Sequence, residues 1–231
     1  MVLPRPVSAV VFDMDGLLID TEVVYREAIM AAAAACGVDL PLWLFHRMIG
    51  APITQNRELL MAHYGEGFDF DGLIEAATHR FHDIFALEDR LKAGVVELLD
   101  HLDEAGLPRA IATSSGHDSV ERHLRPNGVL DRFHAVVARG DYVNGKPAPD
   151  PFLAAARRLG VAPEACLALE DSHNGIRAAH AAGMMAVMVP DLLEPTEEMR
   201  ALAVAIADSL HDVREWLAAA RSSSSPSLGE V

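Results

Sequence analysis

The chain has 231 residues, enough for one large domain or two modest ones, and its 51% hydrophobic and 23% charged residues are ordinary for a globular enzyme. Its formal net charge of −15 argues against nucleic acid or an anionic membrane as a partner, because both are themselves negative. Cys36 and Cys166 show no zinc or redox spacing, and we find no long apolar run or signal peptide, so we expect a cytoplasmic protein.

Strand-like runs alternate with helix-like runs along most of the chain, which is the pattern of a parallel sheet covered by helices. The predicted strands are Val7–Met14, Arg109–Thr113, Ala135–Ala138, Cys166–Leu169, Ala186–Val189 and Ala203–Ile206. The predicted helices among them are Ser119–Leu124, Pro151–Leu159, Asn174–Ala182 and Asp212–Ala220. We therefore predict an α/β fold with a Rossmann-like parallel sheet.

The segment from Thr21 to about Lys92 contains helical patterns only. Its predicted helices are Glu22–Cys36, Asn56–His63 and Leu73–Leu87, and Gly37 and Gly65 follow the first two as stop signals. An all-helical insertion at this point predicts a small second domain that could exclude water from a site in the core. The alternative is that these helices pack into one globule with the rest.

These patterns divide the chain into parts. We expect residues 1–20 and 93–215 to form the α/β catalytic core and residues 21–92 to form the helical cap domain. The serine-rich end of the chain is too polar to pack, so we expect residues 221–231 to be a disordered tail.

The first predicted strand ends in two acids. Asp13 and Asp15 follow the apolar run Val10-Val11-Phe12, and Gly16 comes next. Side chains two apart in a strand share a face, so both carboxylates should project from the carboxyl end of the strand, where open α/β sheets bind ligands. Two acids in such a place repel each other and are stable only if a cation or a proton relieves them.

Three later segments add polar groups at predicted strand ends. Thr113-Ser114-Ser115-Gly116 offers hydroxyls and amides that could hold an anionic oxygen or simply cap a helix. Lys146 stands between Gly145 and Pro147, so it is either placed for an anion or a solvated loop lysine. Glu170-Asp171-Ser172 adds two more acids. Four carboxylates that converge require a metal, and oxygen ligands of this kind suit Mg²⁺.

The four motifs, taken in order, carry a resemblance to a known family. Asp13-Met14-Asp15-Gly16, Thr113-Ser114, Lys146-Pro147 and Glu170-Asp171-Ser172 resemble the motif set of the haloacid dehalogenase superfamily. The resemblance extends over about residues 7–210, and the helical insertion is similar to the alpha-helical caps of that family. Within the family, the chain looks most like the sugar-phosphate phosphatases and the β-phosphoglucomutase-like proteins.

The resemblance implies roles for the acids. Asp13 would be the nucleophile that forms an aspartyl-phosphate. Asp15 would protonate the leaving alcohol and then deprotonate the attacking water. Mg²⁺ would be bound by the Asp13 carboxylate, the Asp15 main-chain carbonyl and Asp171, and Glu170 would be a direct ligand or bonded to a metal-bound water.

The resemblance also implies substrate-binding residues. Thr113, the Ser114 amide and Lys146 would hold the oxygens of the transferring phosphoryl group. The segment from Gly50 to Arg57 resembles the loop that contacts substrate in this branch, so the candidate specificity residues are Thr54, Gln55 and Arg57. The alternative for this segment is an ordinary helix N-terminus.

Departures from the family pattern favour hydrolysis. The mutases of this branch carry a histidine where this chain has Tyr25 and a cap arginine where it has Ile53, and the dehalogenases lack the second acid, here Asp15. We therefore predict a Mg²⁺-dependent phosphatase that acts on a small phosphorylated metabolite, first among them a sugar phosphate. The alternatives are a β-phosphoglucomutase-like phosphoryl transferase and, from another class, a phospho-accepting signalling or binding module. We expect a monomer.

Overall fold

The computed structural model describes residues 3–48, 53–85 and 90–222. Within these ranges, one sheet is built from six strands, and every neighbouring pair is parallel. The strands are β1 (Ala9–Phe12), β2 (Arg109–Ala112), β3 (Ala135–Val137), β4 (Cys166–Glu170), β5 (Met185–Met188) and β6 (Ala205–Ile206). Their order across the sheet is β3-β2-β1-β4-β5-β6.

The α-helices of the described ranges fall into two sets. The first set comes before β2 and comprises α1 (Thr21–Ala35), α2 (Leu42–Met48), α3 (Ile53–Tyr64), α4 (Phe70–Phe85) and α5 (Val95–Ala105). The second set follows β2 and comprises α6 (His117–Leu124), α7 (Asp150–Leu159), α8 (His173–Ala181), α9 (Glu197–Leu202) and α10 (Leu210–Ser222). None of these helices has the combination of length and apolar character needed to cross a bilayer.

The sheet is covered on both faces. All residues of β1, β2, β4 and β5 are buried, as is typical of parallel strands under helices. On one face, Val11 of β1 belongs to a core with Phe152 of α7 and Ile176 of α8. On the other face, Phe12 packs edge-on against Phe133, with 5.6 Å between the ring centroids.

The strand order creates a switch point at β1. From β1 the chain proceeds to β2 and β3 on one side of the sheet, and then returns to the other side of β1 for β4, β5 and β6. Connections that run in opposite directions from a strand pair leave a crevice at its carboxyl end. The crevice in this sheet therefore lies beyond the ends of β1 and β4.

The chain divides into two compact units, one that contains the sheet and one that is helical. The sheet unit comprises the described residues of Met1–Asp20 and Leu91–Val231, and the helical unit is Thr21–Arg90. In the helical unit, α1 and α4 pack along each other. The core of this unit consists of Ile29, Ala32, Ala33, Leu40, Leu44, Phe45, Met48, Leu60, Phe70, Leu73 and Ala77.

The two chain segments that border the helical unit lie side by side within the sheet unit. The Lys92 backbone N–H donates to the Leu18 carbonyl at 2.9 Å, and Ile19 and Leu91 form an antiparallel bridge. The Lys92 ammonium also lies 2.6 Å from a carboxylate oxygen of Asp191. Because of these contacts, residues 91–92 belong to the sheet unit and not to the helical segment 21–92 that the sequence predicted.

The α/β class with a parallel sheet and a helical insertion is confirmed, and the differences concern the ends of elements. The predicted strand Val7–Met14 is longer than β1, because the Met14 carbonyl accepts turn hydrogen bonds from Leu18 and Ile19. The sequence prediction missed α2, α5 and α9. Residues 221–222 are the last two of α10, and the rest of the predicted tail, 223–231, lies outside the described residues.

Candidate active site

The carboxyl ends of β1 and β4 bring the acidic motifs together. Because β1 and β4 are hydrogen-bonded in register, Asp13 follows β1 at the level where β4 ends in Glu170 and Asp171 follows. The Asp13 N–H extends the ladder by donating to the Leu169 carbonyl at 2.9 Å. Two motifs that are far apart in the sequence thus lie next to each other in the fold.

Three acids form a compact cluster at this point. Asp13, Glu170 and Asp171 are all buried, and each offers a carboxylate oxygen that lies within 4.8 Å of the others. Carboxylate oxygens are the hard donors that Mg²⁺ prefers, and three of them are gathered here in a buried cluster. The residues present therefore agree with the metal that the sequence predicted.

Lys146 reaches this cluster from the segment before α7. Its ammonium donates to Asp13 Oδ1 and to Glu170 Oε1, and it lies 5.1 Å from the centroid of the Phe152 ring. The lysine side chain is only 5% exposed, so these carboxylates and the ring replace its hydration shell. It is therefore a fixed cation of the site and not a solvated loop lysine.

The electrostatics of the cluster favour a further cation. Burial raises the pKa of Asp13, an effect that Lys146 opposes and Asp15 reinforces. Burial likewise raises the pKa of Glu170, to about 7, although Lys146 lowers it. Burial alone would lower the pKa of Lys146, but the two carboxylates raise it overall, so the lysine stays charged. One ammonium does not balance the acids around it.

The loop after β2 holds the second acid of the first motif. Ser115 Oγ donates to Asp15 Oδ2 at 2.6 Å, and the buried Thr113 hydroxyl lies 3.4 Å from the same oxygen. The Ser115 N–H donates to Thr113 Oγ1 at 3.0 Å, and the Tyr142 hydroxyl donates to the Thr113 carbonyl at 3.0 Å. Ser114, which the sequence analysis preferred, is exposed at the surface of this loop.

Two glycines allow the acids to approach the backbone. A Cβ on Gly175, in the first turn of α8, would lie 1.8 Å from Glu170 Cδ. A Cβ on Gly16 would lie 2.4 Å from Asp171 Oδ2, and the φ of Gly16 is +82°. The Glu170 carboxylate, which lies where a Cβ on Gly175 would be, also accepts hydrogen bonds from the Ser172 N–H at 3.2 Å and from Ser172 Oγ at 3.0 Å.

The predicted specificity residues belong to the helical unit. Thr54 and Gln55 are exposed in the first turn of α3. The Arg57 guanidinium pairs with the Asp71 carboxylate and lies 4.5 Å from the centroid of the Phe70 ring. Arg57 thus has partners within its own unit. The preceding residues 49–52, which include the Gly50 loop, lie outside the described residues.

A comparison with protein families identifies the chain. The family model described as haloacid dehalogenase-like hydrolase matches residues 7–183, which include all four acidic, hydroxyl and lysine motifs. The chain belongs to the haloacid dehalogenase-like hydrolase family. It is an enzyme, and the predicted assignment to the phosphoric monoester hydrolases of the haloacid dehalogenase type is confirmed.

Named proteins and solved structures agree with this family. A Drosophila melanogaster protein named "Probable pseudouridine-5'-phosphatase" is 39% identical over 194 residues, 81% of this chain and 83% of that protein. A Thermotoga maritima "Phosphorylated carbohydrates phosphatase" is 34% identical over 77% of this chain and 82% of its own length. The crystal structure of a haloacid dehalogenase family hydrolase from Deinococcus radiodurans, with bound phosphate and sodium, is 27% identical with a TM-score of 0.79, and covers 94% of this chain and 97% of that one.

The structure adds residues of this haloacid dehalogenase-like hydrolase that the sequence analysis did not select. These are Ser115, Tyr142, Phe152 and Gly175. Ser115 was visible in the hydroxyl-rich run 113–115, but nothing in the sequence distinguishes it from Ser114. The others contribute through tertiary contacts, which leave no local signal in the sequence.

Proposed function

We propose that the protein is a Mg²⁺-dependent phosphatase that hydrolyses a small phosphorylated metabolite, first among them a sugar phosphate, through an aspartyl-phosphate on Asp13. The observation that carries this proposal is the convergence of Asp13, Lys146, Glu170 and Asp171 from three distant segments on one buried cluster. A family hydrolase needs an oxygen nucleophile next to fixed positive charge for phosphoryl transfer.

Asp13 is proposed as the nucleophile because its side chain is held at the end of a buried strand with one oxygen on Lys146. Attack by a carboxylate oxygen on phosphorus breaks the ester bond and leaves an acyl phosphate, which water hydrolyses more readily than the ester. Lys146 would hold the negative oxygens of the transferring group. The Thr113 hydroxyl and the Ser114 amide are proposed to assist it.

Asp15 is proposed as the proton donor and acceptor. Its carboxylate is held by the hydroxyl of Ser115 and lies near Thr113, so it remains close to the nucleophile while its side chain is directed to the loop after β2. In the first step Asp15 would act as the neutral carboxylic acid and give its proton to the departing alcohol oxygen, which leaves Asp15 as the carboxylate. In the second it would take a proton from the water that attacks the acyl phosphate, which returns both acids to their starting state.

Asp13, Glu170 and Asp171 would hold the metal ion, with the Asp15 carbonyl as a further proposed ligand. When bound, Mg²⁺ would neutralise charge that builds up on the phosphoryl oxygens. The raised pKa values of Asp13 and Glu170 indicate carboxylates that a cation would stabilise in the charged form. Gly16 and Gly175 have no side chain, so the Asp171 carboxylate packs against the backbone of the first and the Glu170 carboxylate against the backbone of the second. These contacts restrict where the two carboxylates can lie.

The substrate class is proposed from the family relatives. The names of two of them describe a probable pseudouridine-5'-phosphatase and a phosphatase of phosphorylated carbohydrates. The helical unit Thr21–Arg90 is proposed to act as a cap, and Thr54, Gln55 and Arg57 of α3 as residues that select the substrate. A capped site favours small phosphate esters over phosphoproteins.

The test is phosphate release from a panel of sugar phosphates, nucleoside monophosphates and p-nitrophenyl phosphate, with Mg²⁺ and with EDTA. We expect Mg²⁺-dependent turnover that Asp13→Asn abolishes, whereas the surface variant Asp118→Asn, on α6, retains it. A phosphorylated chain that forms without turnover would instead support a signalling module. Conversion of β-glucose 1-phosphate in the presence of a bisphosphate primer, without release of phosphate, would support a mutase.

A further inference from the structure

The contacts of Ser115 assign it a role that neither the motif pattern nor the acid cluster provides. Its hydroxyl donates the 2.6 Å hydrogen bond to Asp15 Oδ2, which is shorter than the 3.4 Å separation between Thr113 Oγ1 and the same oxygen. Hydrogen bonds between oxygens are most favourable at about 2.7–2.8 Å and weaken at longer distances. Ser115 is thus the stronger of these two hydroxyl contacts to the Asp15 carboxylate.

The Ser115 backbone is itself fixed on both sides. Its N–H donates to Thr113 Oγ1 at 3.0 Å, and its carbonyl accepts from the Arg139 N–H at 2.8 Å. The first bond ties the residue to the end of β2, and the second ties it to the segment that follows β3. A side chain whose backbone is held in this way can orient a partner without loss of its own freedom at each turnover.

The orientation of the Asp15 carboxylate matters because the metal-binding acids lie nearby, and the same carboxylate could act as a metal ligand instead of a proton donor. Asp13, Glu170 and Asp171 form the group of described acids whose oxygens lie within 4.8 Å of one another, and the Asp15 carboxylate is not part of this group. It is nevertheless close enough to Asp13 to raise the pKa of that residue. Without a partner on the β2 side, the same carboxylate could turn toward a cation held by its neighbours.

We propose that Ser115 is a positioning residue that holds the Asp15 carboxylate on the β2 side of the site, away from the metal-binding acids, so that it serves in proton transfer. This inference rests on the proposed phosphatase function. It concerns the orientation of one side chain, and it predicts a defect confined to steps in which Asp15 moves a proton.

The test compares two esters that differ in the basicity of the leaving group, phenyl phosphate and p-nitrophenyl phosphate. Phenolate needs a proton as it leaves, whereas p-nitrophenolate is stable without one. We expect Ser115→Ala to lower kcat/KM for phenyl phosphate by roughly 10–100-fold, part of the usual contribution of a general acid, because kcat/KM reports the step in which the leaving group departs. For p-nitrophenyl phosphate we expect kcat/KM to change by less than about threefold.

Two further variants separate positioning from general damage. Ser115→Thr keeps the hydroxyl and should restore most of the rate with phenyl phosphate, and Ser119→Ala, a serine of α6, should behave as the native enzyme does. In an Asp15→Asn background, Ser115→Ala should cause no further loss, because the residue through which it acts is already disabled.

Three results would overturn the inference. Equal losses of kcat/KM for the two esters would show a structural role, and additive losses in the Asp15→Asn background would show that Ser115 acts elsewhere. An active native enzyme with an unaffected Ser115→Ala variant would refute the positioning role while leaving the phosphatase proposal intact. A native enzyme that hydrolyses neither ester would refute both.

Discussion

Gly175→Ala tests whether the space beside α8 sets the position of the Glu170 carboxylate. An alanine in a helix is normally about 1 kcal/mol more favourable than glycine, so helix propensity alone predicts stabilisation. The structure predicts the opposite, because the new Cβ would lie 1.8 Å from Glu170 Cδ. To reach 3.0–3.4 Å, the carboxyl group must move by 1.2–1.6 Å.

The movement has a calculable cost. Glu170 accepts hydrogen bonds from the Ser172 N–H at 3.2 Å, from Ser172 Oγ at 3.0 Å and from Lys146. Hydrogen bonds to charged groups are worth about 1.5–3 kcal/mol each, so the loss of even one exceeds the gain in propensity. The displaced carboxylate also leaves the acid cluster, and we expect the affinity for Mg²⁺ to fall by about 10–100-fold.

The assay is isothermal titration of the purified variant with MgCl₂, together with urea unfolding with and without the metal. Gly67→Ala, in the turn between α3 and α4, is the steric control, because its Cβ would meet nothing within 4 Å and its φ is not positive. A Gly175→Ala variant that is as stable as the native protein and binds Mg²⁺ with unchanged affinity would show that the packing argument is wrong.

Two further predictions concern the charges of the cluster. Lys146→Met leaves Asp13 and Glu170 buried without the ammonium that pairs with them. We therefore expect the free energy of unfolding, measured with urea in EDTA, to fall by about 3–5 kcal/mol, and MgCl₂ to restore part of it. A variant as stable as the native protein in EDTA would contradict this. Because burial raises the pKa of Glu170 to about 7 from 4.5, its contribution to stability is fully present below pH 4.5 and is lost as the pH rises through 7. The Mg²⁺-induced rise in Tm should therefore be larger at pH 8 than at pH 6, since the metal binds the deprotonated carboxylate, and an equal or smaller rise at pH 8 would refute this.

The sequence was sufficient to predict where the acids lie. Asp13 and Glu170 follow continuous apolar runs of strand length, which are typical of buried parallel strands, and parallel strands end at the same edge of a sheet. Local signals were weaker for α2, a helix of seven residues, and for α5, which begins with Val95 and Val96, residues of low helix propensity. Both helices bury apolar side chains, so they depend on tertiary packing that no local pattern shows.

The parts of the site that the sequence did not predict depend on distances between segments. The choice of Ser115 over Ser114 is made by the direction in which the loop after β2 leaves the sheet. The need for glycine at position 175 comes from a carboxylate that approaches from another strand end. Neither property is encoded in a residue and its close neighbours, so pattern analysis of a single sequence could not detect it.

The paired segments at Leu18–Ile19 and Leu91–Lys92 have a consequence for how such an enzyme can diversify. Since the departing and returning chain are already bonded to each other within the sheet unit, the 70 residues of the helical unit Thr21–Arg90 form an insertion that leaves and rejoins the sheet unit at one junction. A change of length or sequence within the helical unit would leave the strand order and register of the sheet as they are. With the helical unit selecting the substrate as proposed, selectivity and chemistry can evolve on separate segments of one polypeptide.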